Sequence, residues 1–178
     1  IAIRYTMSTP WDIQTAESGS NQYYMGNYSS PRAAYFNPDG SEFWAYDTTD
    51  ASAVLTHFTI ATPWDLSTSA HDAPLLLTYD QDIANKGMAF KPDGTKLYVA
   101  GASNDQVYQY TLGTPWDIQT GVYDAVSSSF PSGLSGSLQF TPDGTKAFSA
   151  ISSLDTDFIE FSMISGHSFR KQHKITTY

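Results

Sequence analysis

The sequence predicts an all-β fold built from repeated units, and three observations carry that prediction. One turn recurs after an aromatic residue in YFNPDGSEFWAY at 35–46, AFKPDGTKLYVA at 89–100 and QFTPDGTKAFSA at 139–150, with Pro38, Pro92 and Pro142 spaced by 54 and 50 residues. A second motif recurs in YTMSTPWDIQT at 5–15, FTIATPWDLST at 58–68 and YTLGTPWDIQT at 110–120, with Pro10, Pro63 and Pro115 spaced by 53 and 52. Two independent motifs with one shared period of about 52 define an internal repeat. The third observation is periodicity: apolar residues alternate as in strands, and no segment sustains a 3.6-residue pattern with helix caps.

Each element follows in order. The chain opens on the third strand of a unit, because IAIRYTMSTPWD aligns with QVYQYTLGTPWD, so residues 1–28 make a half unit of third and fourth strands. Residues 29–80 form a whole unit with strands near 32–37, 41–47, 53–60 and 73–79. Residues 81–130 form the next, beginning with a strand at Lys86–Lys91 and a tight turn at Pro92, Asp93 and Gly94, where Pro presets φ and Gly takes a positive φ. Its second strand, Lys96–Gly101, places Leu97 and Val99 on one face and Tyr98 and Ala100 on the other. A polar loop at Ala102–Asp105 leads to the third strand, Gln106–Leu112, with Tyr108, Tyr110 and Leu112 opposite Val107, Gln109 and Thr111. The fourth, Gly121–Val126, follows the stretch Thr114–Thr120. The Ser-rich stretch Ser127–Ser137 reads as a flexible connection. Residues 131–178 form the last unit, with strands near 136–141, 146–152, 157–163 and 170–177, and with Ser165–Phe169 standing where a TPWD element is expected.

Four antiparallel strands repeated at this period are the sequence pattern of a β-propeller blade. A single four-stranded sheet cannot bury its own faces, so neighbouring sheets must stack and share side chains. Phe36, Phe90 and Phe140, one per unit, are the expected inter-blade core. Trp11, Trp64 and Trp116 recur between third and fourth strands, and burying each contributes roughly 2 to 3 kcal/mol. Their repetition favours an anchor that holds the loop to the sheet over a ligand contact. The string PDGTKLYVA resembles the repeat of the YVTN and lactonase-like β-propeller superfamily, a resemblance that implies the fold and leaves enzymes, binding modules and spacers open as functions. The TPWD element resembles repeat proteins of bacteriophages and bacterial surfaces. The Trp-Asp pair invites comparison with WD-repeat propellers, but the one Gly-His dipeptide, Gly166 and His167, lies late in the last unit, and that family is set aside. Three whole units and a half fall short of the four blades a closed ring needs. A segment of a longer repeat protein is therefore expected, with completion by partner chains second, and the absence of an initiator Met agrees with it.

Composition narrows the function. The 178 residues include 12 Tyr, 10 Phe and 4 Trp, no Cys, and a formal net charge of −9. Disulfide scaffolds, thiol nucleophiles and Cys-ligated metals are excluded. A nucleic-acid partner and an anionic-lipid surface are both disfavoured by the negative charge, and apolar runs such as Leu75–Leu77 are too short for membrane insertion. Aspartates pair at Asp47 and Asp50, Asp80 and Asp82, and Asp155 and Asp157, with Asn104 and Asp105 as a counterpart. Such pairs suit calcium, but recurrence at turns favours Asx-turns. The histidines His57, His71, His167 and His173 lack metal-ligand spacing, and there is no GxSxG elbow. Arg170, Lys171, His173 and Lys174 form a cationic cluster, read as a solvated edge or a docking surface for an acidic partner. Tyr23, Tyr24 and Tyr28 beside Asn21 and Asn27 suit either a sugar-binding surface or cross-strand packing. No catalytic, cofactor-binding or metal residue is assigned, and no cofactor is expected. The expected function is a non-enzymatic structural or adhesive propeller module of a virion appendage or cell-surface assembly, outside the cell or on the virion surface. Its expected partners are other protein chains, further copies of itself included, and a glycan. A glycan or protein recognition module and a lactonase-like hydrolase are the alternatives.

Overall fold

The computed structural model describes residues 2–3, 5–17, 22–23, 31–49, 52–77, 81–82, 84–127, 134–151, 158–164 and 168–175. A split two-stranded ribbon comes first, with β1 (Ala2–Ile3) against β4 (Gln22–Tyr23) and β2 (Thr6–Met7) against β3 (Ala16–Glu17). Three four-stranded antiparallel sheets follow. They are β5 (Pro31–Phe36), β6 (Glu42–Thr49), β7 (Ser52–Ile60) and β8 (Ser69–Leu77); then β9 (Asn85–Phe90), β10 (Lys96–Gly101), β11 (Gln106–Leu112) and β12 (Gly121–Val126); then β13 (Leu134–Phe140), β14 (Lys146–Ile151), β15 (Phe158–Ile164) and β16 (Ser168–Ile175). In each of the three four-stranded sheets every strand pairs with the one before it, so the order along the sheet is the order along the chain. The β8 strand starts four residues before the expected position, because the ladder Ile60↔Ser69 and Phe58↔His71 runs through polar residues that the apolar run Leu75–Leu77 does not mark.

The first turn of each sheet is written in its sequence. Gly40, Gly94 and Gly144 have φ of 74°, 73° and 68°, a conformation that L side chains avoid. Their N–H groups close the turn on the carbonyls of Asn37, Lys91 and Thr141, at 3.1, 2.8 and 2.8 Å. The Asp before each Gly accepts the N–H of the residue after it: Ser41, Thr95 and Thr145 bond to Asp39, Asp93 and Asp143 at 2.9, 3.0 and 3.1 Å.

The sheets bury their faces on one another. One core gathers Trp44, Tyr46 and Leu55 of the first sheet with Met88, Phe90, Leu97, Val99, Tyr108, Tyr110, Leu112 and Ile118 of the second. Another joins Ala89, Tyr98, Ala100 and Val107 to Leu138, Ala147 and the flanking Phe140 of the third. Leu97 and Val99 thus face backward along the chain and Tyr98 and Ala100 forward, as strand alternation requires. Phe90 and Phe140 pack at these faces as expected, whereas Phe36 packs on the other face of the first sheet, where its described neighbours, Phe43 and Trp64, belong to its own unit. The first strands β5, β9 and β13 touch one another, so the sheets converge on that side as wedges around an axis, and the described residues leave the ring open. No helix among the described residues is long and apolar enough to cross a membrane.

Candidate functional site

The sheets have two chemically distinct ends. At the turn end, the TPWD motif folds the same way three times. Asp12, Asp65 and Asp117 donate their N–H to the carbonyls of Thr9, Thr62 and Thr114 at 3.2, 2.9 and 3.2 Å, closing a turn with Pro second and Trp third. The third residue carries a positive φ, 65°, 65° and 69° for Trp11, Trp64 and Trp116, in a place where turns of this kind ordinarily use Gly. Each Asp then caps a short 3-10 turn by accepting the N–H of Gln14, Ser67 or Gln119 at 3.0, 3.1 and 3.0 Å. The Thr that ends the motif returns to its start, with Thr15, Thr68 and Thr120 accepting the N–H of Thr9, Thr62 and Thr114 at 3.0, 2.9 and 3.0 Å.

The two motifs share a period because they touch. Trp64 and Trp116 donate their backbone N–H to the carbonyls of Gly40 and Gly94, both at 2.9 Å. Their indoles lie over those glycines, and a Cβ at Gly94 would stand 2.5 Å from the Trp116 ring. Trp116 also meets Tyr35, Trp44 and Phe90, with ring centroids at 6.3, 5.5 and 5.4 Å, so it seals the seam between the first two sheets. Trp64 stacks on Phe36 at 5.6 Å, and Trp11 is 98% exposed. The anchor role expected of the tryptophans holds for Trp64 and Trp116. A groove of about 610 Å³ opens in the next seam, beside Gly144.

The opposite end is polar. Asp82 is buried, and its carboxylate accepts the N–H of Ala84 at 2.7 Å, of Ser103 at 3.1 and 3.2 Å, and of Asn104 at 2.9 Å. Those bonds clasp the connection between sheets to the loop between β10 and β11. They also fill the oxygens, which makes Asp82 a structural acceptor and the Asx-turn the right reading for it. Asn85, buried beside it, donates to the Asp82 carbonyl at 2.9 Å and across the seam to the Tyr46 hydroxyl. The Tyr110 hydroxyl donates to Gln81 at 2.9 Å, and Asn104 donates to the Tyr108 hydroxyl at 3.0 Å. Burial raises the Tyr108 phenol above its usual value. Arg32 and Lys86 occupy one equivalent place on adjacent first strands at this end. The phenols and Asn85 are buried in this network, whereas Arg32 and Asn104 are exposed and Gln81 and Lys86 half-buried.

Similarity to solved structures decides the architecture. The chain matches a candidate 6-phosphogluconolactonase of Bacteroides fragilis with TM-score 0.65 and 13% identity, over 97% of this chain and 48% of that one. A candidate 6-phosphogluconolactonase of Bacteroides uniformis gives 0.62 and 11%, over 97% and 50%. The periplasmic gluconolactonase of Pseudomonas aeruginosa gives 0.58 and 15%, over 82% and 40%. The fold is that of a β-propeller. The chain spans about half the length of the two Bacteroides structures. No protein-family model matches it, and no curated protein does. These neighbours overturn the reading of the chain as a non-enzymatic virion or cell-surface module, since all three carry lactonase names and none is a virion part. A regular repeat does not argue for architecture alone, because inter-sheet packing imposes the same regularity whatever the propeller does.

The remaining sequence candidates separate by position. His57 lies 3.3 Å from Glu42 and stacks on Trp44 with centroids 5.1 Å apart, a packing role. His71 sits edge-on to Phe58 at 5.3 Å. Asn104 and Asp105 belong to the loop clasped by Asp82, where Asp105 has φ of 52°. Asp50, Asp80, Asp155, Asp157, His167, Asn21, Tyr24, Asn27 and Tyr28 lie outside the described residues, as do the side chains of Asp47, Tyr23, Arg170, Lys171, His173 and Lys174. The polar cluster of Gln81, Asn85 and Tyr46 was missed because it does not recur: the places equivalent to Asn85 hold Pro31 and Ser135.

One further group has a pH signature. Asp124 accepts from Lys96 at 3.1 Å, from Gln109, and from Thr111 at 3.0 Å, and the Lys96 ammonium first, then the other two, hold its carboxyl down at about 2. A depressed carboxylate contributes stability that is complete above its unfolded value, about 4, and is lost as pH falls through the folded one. Asp124→Asn is expected to lower the urea midpoint at pH 7, with the difference from wild type closing between about pH 4 and pH 2. A difference that stays constant over that window would refute the assignment.

Proposed function

We propose that the chain forms part of a lactonase-like propeller that opens a sugar lactone, water adding to the ester carbonyl and the ring C–O bond breaking to give the hydroxy acid. The observation that carries this reading is the likeness of fold to three lactonase-named proteins over 82–97% of the chain. The polar end supports it, because the half-buried Gln81 and the exposed Asn104 offer amide donors and acceptors of the kind sugar hydroxyls need, held in place by the buried network behind them. The equivalent placing of Arg32 and Lys86 supports a phosphorylated lactone over a neutral one. Further blades, from another segment or another copy of the chain, are the partners this reading requires. The periplasmic address in the Pseudomonas name supports a site of action beyond the cytoplasm.

The purified protein is expected to accelerate ring opening of 6-phosphogluconolactone over the buffer rate, and to act less on gluconolactone. Rates equal to the buffer blank for both lactones, with and without divalent metal, would remove the reading.

A further inference from the structure

The third sheet carries the Pro-Asp-Gly turn without the tryptophan that covers it in the other two. Around Trp116 the seat has four parts: Gly94 as its floor, Phe90 from the same sheet, and Trp44 and Tyr35 from the sheet before. One repeat further on, the same places hold Gly144, Phe140, Tyr98 and Ala89. The two rings touch in the same way in both seams, with centroids 4.4 Å apart for Tyr98 and Phe140 and 4.6 Å for Trp44 and Phe90, and make one aromatic surface beside the glycine. Among the described residues nothing covers this floor: a Cβ at Gly144 would meet none of them within 4 Å, where one at Gly94 would meet the indole. Ala89 in place of Tyr35 widens the opening further. All four residues line the groove of about 610 Å³, together with Leu138 and Pro142.

We propose that this groove is a binding site for a neutral, planar aromatic ligand of indole size. Its walls offer aromatic faces and aliphatic edges, the surfaces on which a flat ring gains contact and stacking energy. Charge does not favour an anion there. Of the lysines at the rim, Lys91 is paired with Asp93 at 2.5 Å and Lys96 with Asp124 at 3.1 Å, and Asp143 adds a negative group. The site lies at the turn end, away from the polar cluster, so it stands or falls separately from the lactonase reading.

The test is a titration of the whole chain with 5-fluoroindole, followed by ¹⁹F NMR. Saturable binding to one site, tighter than about 1 mM, is expected, and it should weaken about tenfold or more in Gly144→Asn, a residue that tolerates positive φ and projects into the floor. Denaturant midpoints of that variant separate lost binding from lost folding, and Trp11→Ala should bind as wild type does. Absence of saturable binding, or binding unchanged in a folded Gly144→Asn, overturns the proposal. Self-association that Trp11→Ala abolishes, with no 5-fluoroindole bound, also overturns it, since the seat would then be an interface between copies.

Discussion

Replacing Trp116 by alanine is expected to destabilise the chain by about 3 kcal/mol, the cost of removing a large aromatic from a packed seam. Trp64→Ala should cost less and Trp11→Ala close to nothing. The gradient follows from contacts: Trp116 meets three other rings, Trp64 stacks on Phe36 and is 55% exposed, and Trp11 is 98% exposed. Backbone strain works against this packing, because a non-glycine residue in the left-handed region costs about 1 to 2 kcal/mol. Alanine keeps that strain and glycine relieves it. Trp11→Gly should therefore be neutral or stabilising, while Trp116→Gly remains destabilising because the lost ring contacts exceed the strain relieved. Urea denaturation of the five variants checks the pattern, and equal losses at the three positions would contradict it.

A second pair of variants isolates the contact between the motifs. Gly94→Ala and Gly144→Ala introduce one methyl group at φ of 73° and 68°, so both incur about the same backbone cost, on the order of 1 kcal/mol. At Gly94 the methyl also meets the Trp116 indole, and the overpacking adds about 1 to 3 kcal/mol. Gly94→Ala should accordingly be the more harmful by that margin. Combining it with Trp116→Ala should cost less than the sum of the two single changes, because the clash disappears with the ring. Additive effects would mean that the Trp116 side chain does not rest on Gly94.

Much of this was legible in the residues themselves. Alternation alone assigned Leu97 and Val99 to one seam and Tyr98 and Ala100 to the other, and the Pro-Asp-Gly string announced its turn through the only residue type at ease with positive φ. The contact between the motifs was not legible. Trp64 and Gly40 lie 24 positions apart, and no rule of local propensity would put Trp where the backbone prefers Gly. Only the three-dimensional seat explains why the strained residue must be the large one. The polar end was hidden for the opposite reason. Repeats reveal what every blade needs for packing, whereas the buried network of Asp82, Asn85 and Tyr46 has no periodic echo. Repetition also misled the functional reading, since it reports the architecture and is silent on the residues that interrupt it.

The strand order has a kinetic consequence. Every ladder of the four-stranded sheets joins neighbours in sequence, so each closes over a short loop at small entropic cost, and a sheet can form without waiting for distant parts of the chain. What travels between sheets is carried by the side chains in the seams. Cooperativity then behaves as in a one-dimensional array, passed from neighbour to neighbour. The ring cluster around Trp116 couples the first two members of that array strongly. The third sheet is joined through Ala89, Tyr98, Ala100 and Val107, so the second sheet, packed on both faces, should be the last of the three to open.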